Sequence, residues 1–350
     1  MSLPSAVGHQ AVPGSAGGVA APGPTGRGGR RRKGGGRRDE HLMVPDATFT
    51  SYYGRPIVKA SPWEKDIPAY LFLGGLAAGS SLLGAGADLT GRPALRRNSR
   101  VAALATITVS FAALVHDLGR PARFVNMLRV AKPTSPMSVG TWILTGYAPL
   151  AALAALAEGR DLLPRRLSWV AGLLCFGARP AGLGAALLAP AIASYTAVLL
   201  TDTATPTWHD AHEHLPFVFV GSASAAAGGL GLLASPLSES APARRFAVGG
   251  ALLELAVEHR MEQAMGLTAE PLRQGRAGRL MRASKALTAA GALGAAVSRR
   301  SRLVTGLSGV ALLTGSACMR FGVFQAGQES TRDPKYVVVP QRQRMAARGA

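Results

Sequence analysis

Cysteine is scarce in this chain: two among 350 residues, Cys175 and Cys318, far apart and each inside an apolar stretch. An iron–sulfur cluster takes about four thiolate ligands, so none is expected on this chain, and the pair fits no metal motif. Both read as small apolar packing residues. Aromatic residues make up only 6% of the chain, too few to supply stacking platforms for bases. Nucleic acid is therefore not an expected partner, although the net charge is +20. Charge itself is thin, at 17% of residues, and Asp and Glu (19) are half as numerous as Lys and Arg (39). Histidines do not assemble a cofactor site either. A bis-histidine haem needs His residues facing each other inside a bundle, whereas His116 and His259 fall at helix ends. His209, His212 and His214, with Asp210 and Glu213, fit no single helical face, so they read as a solvated loop and no metal is expected.

What the chain has is long apolar segments. Hydrophobic residues account for 48% of it and the mean hydropathy is +0.18. The positive charge lies in the tails and connectors between apolar runs, the pattern of a multi-pass membrane protein. The runs are Ile67 to Ala87, Val101 to Val115, Val139 to Ala157, Leu167 to Leu200, Leu215 to Ala234, Phe246 to Val257, Ala286 to Val297 and Leu303 to Phe324. A spanning helix takes about 20 residues. The fold class is thus an all-α polytopic transmembrane bundle of eight spans, or nine if the long fourth run breaks at Arg179-Pro180. One long tilted helix is the favoured reading there, with Leu167 to Phe176 partly interfacial. The second, sixth and seventh runs are short, and must borrow flanking residues or let basic side chains snorkel.

The organisation follows. Residues 1–50 form a Gly- and Arg-rich tail that includes Arg30-Arg-Arg-Lys-Gly-Gly-Gly-Arg-Arg38, expected to be disordered and to lie near anionic lipid. Its twin arginines are not followed by the compact apolar region and cleavage site of a secretory signal. Residues 51–66 form an interfacial segment, 67–325 the bundle and 326–350 a polar tail. Small residues recur at helical spacing: Gly75 with Gly79, Gly84-Ala-Gly86, Gly221 with Ala225, and Gly228-Gly229-Leu-Gly231. They are expected to let helices approach closely in lipid, where packing replaces the hydrophobic drive.

Polar groups gather on the side of the termini. They are Tyr70, the stretch His116-Asp117-Leu-Gly-Arg120-Pro-Ala-Arg123, Tyr195, Asp202, and Trp208 to His214. Ionisable groups at a membrane boundary are usually functional. His116 beside Asp117 suits a proton donor or relay, since an imidazole changes charge near neutral pH; an interfacial ion pair with Arg120 accounts for it equally well. Tyr195, within Ala193-Ser-Tyr-Thr-Ala197, either offers its hydroxyl to a quinone carbonyl or belongs to an interfacial aromatic belt. Tyr70 carries the same two alternatives. Glu254 is the most intramembrane carboxylate, either on a proton path or paired to a neighbouring helix.

Several ordered pieces resemble the NrfD/PsrC-type membrane subunits of respiratory oxidoreductases, the polysulfide reductase NrfD family, from about Tyr53 to Tyr336. They are Trp63 with Tyr70-Leu-Phe-Leu-Gly-Gly-Leu-Ala-Ala-Gly79; Asp117-Leu-Gly-Arg-Pro-Ala-Arg-Phe124; Ser135-Pro-Met-Ser-Val-Gly-Thr-Trp142; and Ser194-Tyr195 leading to Pro206-Thr-Trp208 and Leu215-Pro-Phe217. The resemblance implies an integral membrane subunit that exchanges electrons between the quinone pool and a four-cluster ferredoxin-like protein. That partner in turn serves a catalytic subunit, often a molybdopterin enzyme. The implied cofactor is a quinone or quinol, menaquinone or ubiquinone, and the implied location is the prokaryotic cytoplasmic membrane. Tyr70 and Tyr195 fall where quinone-contacting residues of the first and fourth helices are found, and His116, Asp117 and Arg120 match the motif bordering that pocket. The best-described relatives carry His where this chain has Tyr70 and Asn where it has Ile67, which moves the expected proton partner to His116 or Asp117. The expected quinone contacts are then Tyr70, Arg120, Tyr195, Asp202 and Trp208, with His116 and Asp117 as the catalytic pair and Glu254 on a proton path.

Two rivals belong to other classes. A transporter or proton-translocating subunit could use Glu254, Asp202 and His116 as a relay, but the broken-helix repeats of such folds are not seen. A purely structural anchor would use the same motifs only to fold the bundle.

Overall fold

The computed structural model describes residues 56–297 and 300–349, which are helical and contain no strand among the described residues. The expected tail 1–50 lies outside them. Eight helices of 20 residues or more form a polytopic bundle: α1 (Asp66–Leu89), α2 (Pro93–Asp117), α4 (Pro136–Leu156), α5 (Ser168–Thr201), α7 (Leu215–Ala234), α8 (Ala241–Ala264), α10 (Gly275–Val297) and α11 (Arg302–Ser330). Four short ones, α3 (Arg123–Leu128), α6 (Pro206–Asp210), α9 (Glu270–Arg273) and α12 (Lys335–Gly349), lie in or after the connections on the side of the termini. The segment 326–350 therefore holds the last turns of α11 and the helix α12.

Each apolar run became a helix at least as long as itself. The second, sixth and seventh runs gained the length they lacked from polar flanks, such as Pro93 to Arg100 in α2. Proline sits in the first turn of α2, α4, α7 and α8, where its missing N–H leaves no bond unmade. The fourth run is one unbroken helix of 34 residues, with Pro180 and Pro190 inside it. At 1.5 Å per residue it extends about 50 Å, well beyond the hydrocarbon core. Its exposed Trp169 and Phe176 belong to the surplus first turns.

Among the described residues, six helices are long and apolar enough to cross a membrane: α1, α2, α4, α5, α7 and α11. The other two, α8 and α10, are as long but carry charge. In α8 the acidic charge faces inward: Glu254 and Glu258 are buried while Leu252 and Leu253 are exposed. A hydropathy sum cannot tell an inward carboxylate from an outward one, which is why α8 reads as too polar.

Neighbouring helices pair as hairpins, α1 with α2, α4 with α5, α7 with α8 and α10 with α11. Helix α1 is the central post, touching α2, α5, α7 and α11. Its apolar window is 78% buried, against 28% for α2, which turns most of its surface outward. Small residues make these contacts possible. A Cβ on Gly221 would strike the α8 backbone at Glu254, and one on Gly250 would strike the α7 backbone. Gly79 packs against the backbone of Ala223 in the same manner. The Gly84-Ala-Gly86 step is only half used: Gly84 faces α2 at Ser99 and Arg100, whereas nothing lies near Gly86.

At the end opposite the termini, one cluster of charges is paired across helices. Glu158 accepts from Arg96 at 2.7 and 3.1 Å and from Arg100 at 2.8 Å, and Asp88 lies 3.3 Å from Arg96. This network ties α1 and α2 to the turn after α4, with the Arg100 side chain only 6% exposed.

Candidate functional site

The motif Asp117-Leu-Gly-Arg-Pro-Ala-Arg-Phe124 acts first as a chain reversal. Gly119, at φ +68°, ends α2 in the left-handed region, where a side chain is disfavoured. Pro121 then opens the turn into α3. Phe124 comes back against Phe111 of α2, edge to face with ring centres 4.7 Å apart. The two rings stand over an apolar groove between α2 and α4.

That groove encloses about 470 Å³ and is walled by Leu104, Ile107, Phe111, Phe124, Leu144 and Thr145, among others. Its inner wall, Ile107 and Leu144, belongs to the packed cluster that contains Tyr70, Tyr147 and Tyr195. An apolar slot that faces outward can take a flat, hydrophobic ligand from the lipid phase.

Tyr195 owes its place to Gly140. A Cβ on Gly140 would fall inside the Tyr195 ring, in contact with Cε2, Cδ2 and Cζ. The glycine of Ser135-Pro-Met-Ser-Val-Gly-Thr-Trp142 is thus the seat of the tyrosine from α5, and Tyr195 is 8% exposed. Tyr70, one turn into α1, is 2% exposed, and its carbonyl oxygen accepts from Ser110 Oγ of α2 at 3.0 Å. Tyr147 of α4 passed unnoticed in the sequence. Its hydroxyl donates to Ala77 O at 2.8 Å and shares a hydrogen bond with Ser81 Oγ at 2.7 Å, which pins α4 to α1.

The other expected residues separate into groups. His116 does not pair with Asp117 or Arg120. Its Nδ1 meets Asp66 Oδ2 of α1 at 2.7 Å, at the rim, with the imidazole 82% exposed. Consecutive residues on a helix point about 100° apart, so His116 finds its carboxylate on the neighbouring helix. Asp117 is half-buried, beside Glu64 and Asp66. Arg120 and Asp202 are exposed.

Trp208 is committed elsewhere. It is fully buried, its Nε1 donates to Val323 O at 2.8 Å, and its indole fills the space that a side chain at Gly327 would need. Trp63 stacks at 6.0 Å and Phe324 lies at 5.4 Å. With its ring N–H in use, Trp208 staples α6 to α11 and has no donor left for a ligand.

Glu254 lies in the other half of the bundle, where α8 meets α7 and α10. Neither of its oxygens is hydrogen-bonded. Arg320, buried in α11, escaped notice although it interrupts an apolar run and so carried the same signal as Glu254. Glu258 and Glu262 were legible too, by their four-residue spacing from Glu254.

The histidine loop after α5 bonds mostly to backbone: His209 Nδ1 is 3.2 Å from Thr201 O, and His212 Nδ1 is 2.9 Å from His209 O. Among the described residues no group of three or more His, Cys, Asp or Glu could hold a metal ion. Nearby, Lys335 of α12 meets Glu270 of α9 at 2.9 Å. The ammonium holds the Glu270 carboxyl below its ordinary range, and Glu270 in turn raises Lys335.

No curated protein matches the chain. The family model described as Polysulphide reductase, NrfD matches residues 58–245, from just before α1 into the start of α8. This covers more than half of the 350 residues, including the Gly119 reversal, the α2–α4 groove and the Gly140–Tyr195 contact. The chain belongs to the NrfD family, membrane subunits of respiratory oxidoreductase complexes.

Proposed function

We propose that this protein is the quinone-handling anchor of such a complex in a prokaryotic cytoplasmic membrane. In this reading all eight long helices span the bilayer. Electrons pass between the quinone pool and a ferredoxin-like iron–sulfur partner that serves a catalytic subunit, commonly a molybdopterin enzyme. The carrying observation is the outward-facing apolar groove between α2 and α4, whose inner wall joins the cluster of Tyr70 and Tyr195.

The residues present fit a menaquinone or ubiquinone. Phe111, Phe124, Leu104 and Leu144 would hold an apolar ring and tail, and Tyr195, seated on Gly140 in the cluster that the inner wall joins, would donate its hydroxyl to a carbonyl oxygen. When bound, a quinone supplies a carrier of two electrons and two protons. Tyr195 orients; a phenol held in one rotamer loses little entropy on forming its hydrogen bond. The His116–Asp66 pair at the rim would hold a proton where water reaches it. Phe124 and Phe111 keep water from the groove below. The exposed Arg120, Arg123, Arg129 and Lys132 between α2 and α4 give a positive surface that would steer an acidic partner.

The test is purification with the partner subunits, followed by quinol-dependent reduction of the partner's clusters. Tyr195→Phe and His116→Ala are each expected to slow it about tenfold or more, the worth of one hydrogen bond or one proton donor. Unchanged rates in both variants would overturn the assignment.

A further inference from the structure

A second chemistry is built into the half of the bundle that the family match does not reach. Glu254, Glu258 and Glu262 are four residues apart on α8, so they share one face, rising about 12 Å in two turns. That face looks at α7 and α10, with Arg320 reaching toward it from α11, while Leu252 and Leu253 look away from it.

The ladder has a wet end and a dry end. Glu262 accepts from Lys285 Nζ of α10 at 2.6 Å and from Arg273 Nε at 3.1 Å, and the Arg273 side chain is 57% exposed on the side of the termini. One turn in, Glu258 is fully buried, 3.6 Å from the same Lys285. One turn further, Glu254 is fully buried with both oxygens unbonded. Arg320 of α11 lies within electrostatic range of it. Its Nη2 donates to Phe219 O at 2.9 Å, its plane covers the Phe219 ring at 3.5 Å, and its Nε has no partner. From α7 only Ser222 faces Glu254, and it donates to Ser316 Oγ at 2.7 Å.

Buried carboxylates with unmet bonding capacity are costly, and apolar residues would pack these positions better. Their persistence at one-turn spacing, each nearer the centre than the last, suits a group that gains and loses a charge. Three carboxylates stand against three cations, Lys285, Arg273 and Arg320, so the ladder is neutral when fully ionised and takes up one proton at a cost of one unit charge. The same cations repel a metal ion. Beyond Glu254, α7 and α8 close on each other through Gly221, Gly250, Gly228 and Ala247.

We propose that Glu262, Glu258 and Glu254 form a proton-conducting half-channel, open to water on the side of the termini and ending beside Arg320 at the bundle centre. A proton from water binds Glu262, passes to Glu258 and then to Glu254, and returns by the same route, so no oxidant or co-reactant is needed. This does not depend on the quinone assignment; it extends the sequence expectation for Glu254 to a route with a mouth and an end.

The test is vibrational spectroscopy of the full-length chain in lipid nanodiscs across a pH series, following the carboxylic C=O band after transfer to heavy water. Glu254→Gln should remove one band that exchanges its proton rapidly in the wild type. Glu258→Gln should keep that band and slow its exchange at least tenfold, and Glu258→Asp should restore the rate. Should Glu258→Gln fail to fold, Glu262→Gln makes the same measurement one step nearer the surface. Absence of a band lost in Glu254→Gln, or unchanged exchange when the ladder is cut, would overturn the proposal.

Discussion

Replacing Gly140 with alanine is the sharpest probe of the site. The added methyl would sit inside the Tyr195 ring. Ordinary carbon contacts are about 3.5–4.0 Å, so the ring must shift by about 1.5 Å. Tyr195 is 8% exposed and cannot swing outward freely. Overpacking of this kind costs about 1–3 kcal/mol, which a thermal or denaturant unfolding assay in detergent resolves. A displacement of about 1 Å in a positioning group costs on the order of 100-fold in rate, so quinol-dependent turnover should fall far more than stability does. The control is a double-mutant cycle. In a Tyr195→Ala background the methyl meets no ring, and Gly140→Ala should then cost almost nothing, so the two changes are strongly non-additive. An equal penalty for Gly140→Ala with and without the tyrosine would refute the contact. A full penalty in stability with unchanged turnover would leave the contact standing and remove Tyr195 from the quinone site.

Two further outcomes follow from the charge pairs. Glu158→Ala takes away the acceptor shared by Arg96 and Arg100, leaving Arg100 only Asp88 at 3.5 Å. Breaking a buried pair costs about 3–5 kcal/mol; with the Arg96 side chain 31% exposed, about 2–3 kcal/mol should be lost, read as a drop in the unfolding midpoint. At α12, the depressed Glu270 adds stability that is complete above its unfolded pKa and fades as pH falls through its folded one. The raised Lys335 adds stability that fades as pH climbs through its own folded pKa. Limited proteolysis of the C-terminal helix should therefore be slowest near neutral pH and faster at both extremes, and Lys335→Ala should abolish the difference.

Much of this was written locally. Each apolar run forecast a helix, because in lipid a segment must satisfy its own backbone hydrogen bonds and the helix does so without help from its neighbours. The reversal at Gly119 and Pro121 was not read from the sequence, although both residue types favour turns. The charged helix α8 was harder, since its polar face is hidden and its apolar face shown, an inversion that composition averages away. Arg320 and the ladder below Glu254 were legible by spacing and position, yet only inter-helix packing shows that they meet.

The sequence by itself determined the class of the protein: a basic, cysteine-poor chain of long apolar runs, with ordered motifs in the connections and no redox centre expected on it. Tertiary structure decided which of those motifs meet. His116 takes its carboxylate from Asp66, fifty residues earlier; Tyr195 rests on the glycine of another motif; and Trp208 fills the notch at Gly327. Hydropathy and helical period are sums over neighbours along the chain, whereas a side chain's partner depends on how helices distant in sequence dock, and small residues at the crossing points set that docking.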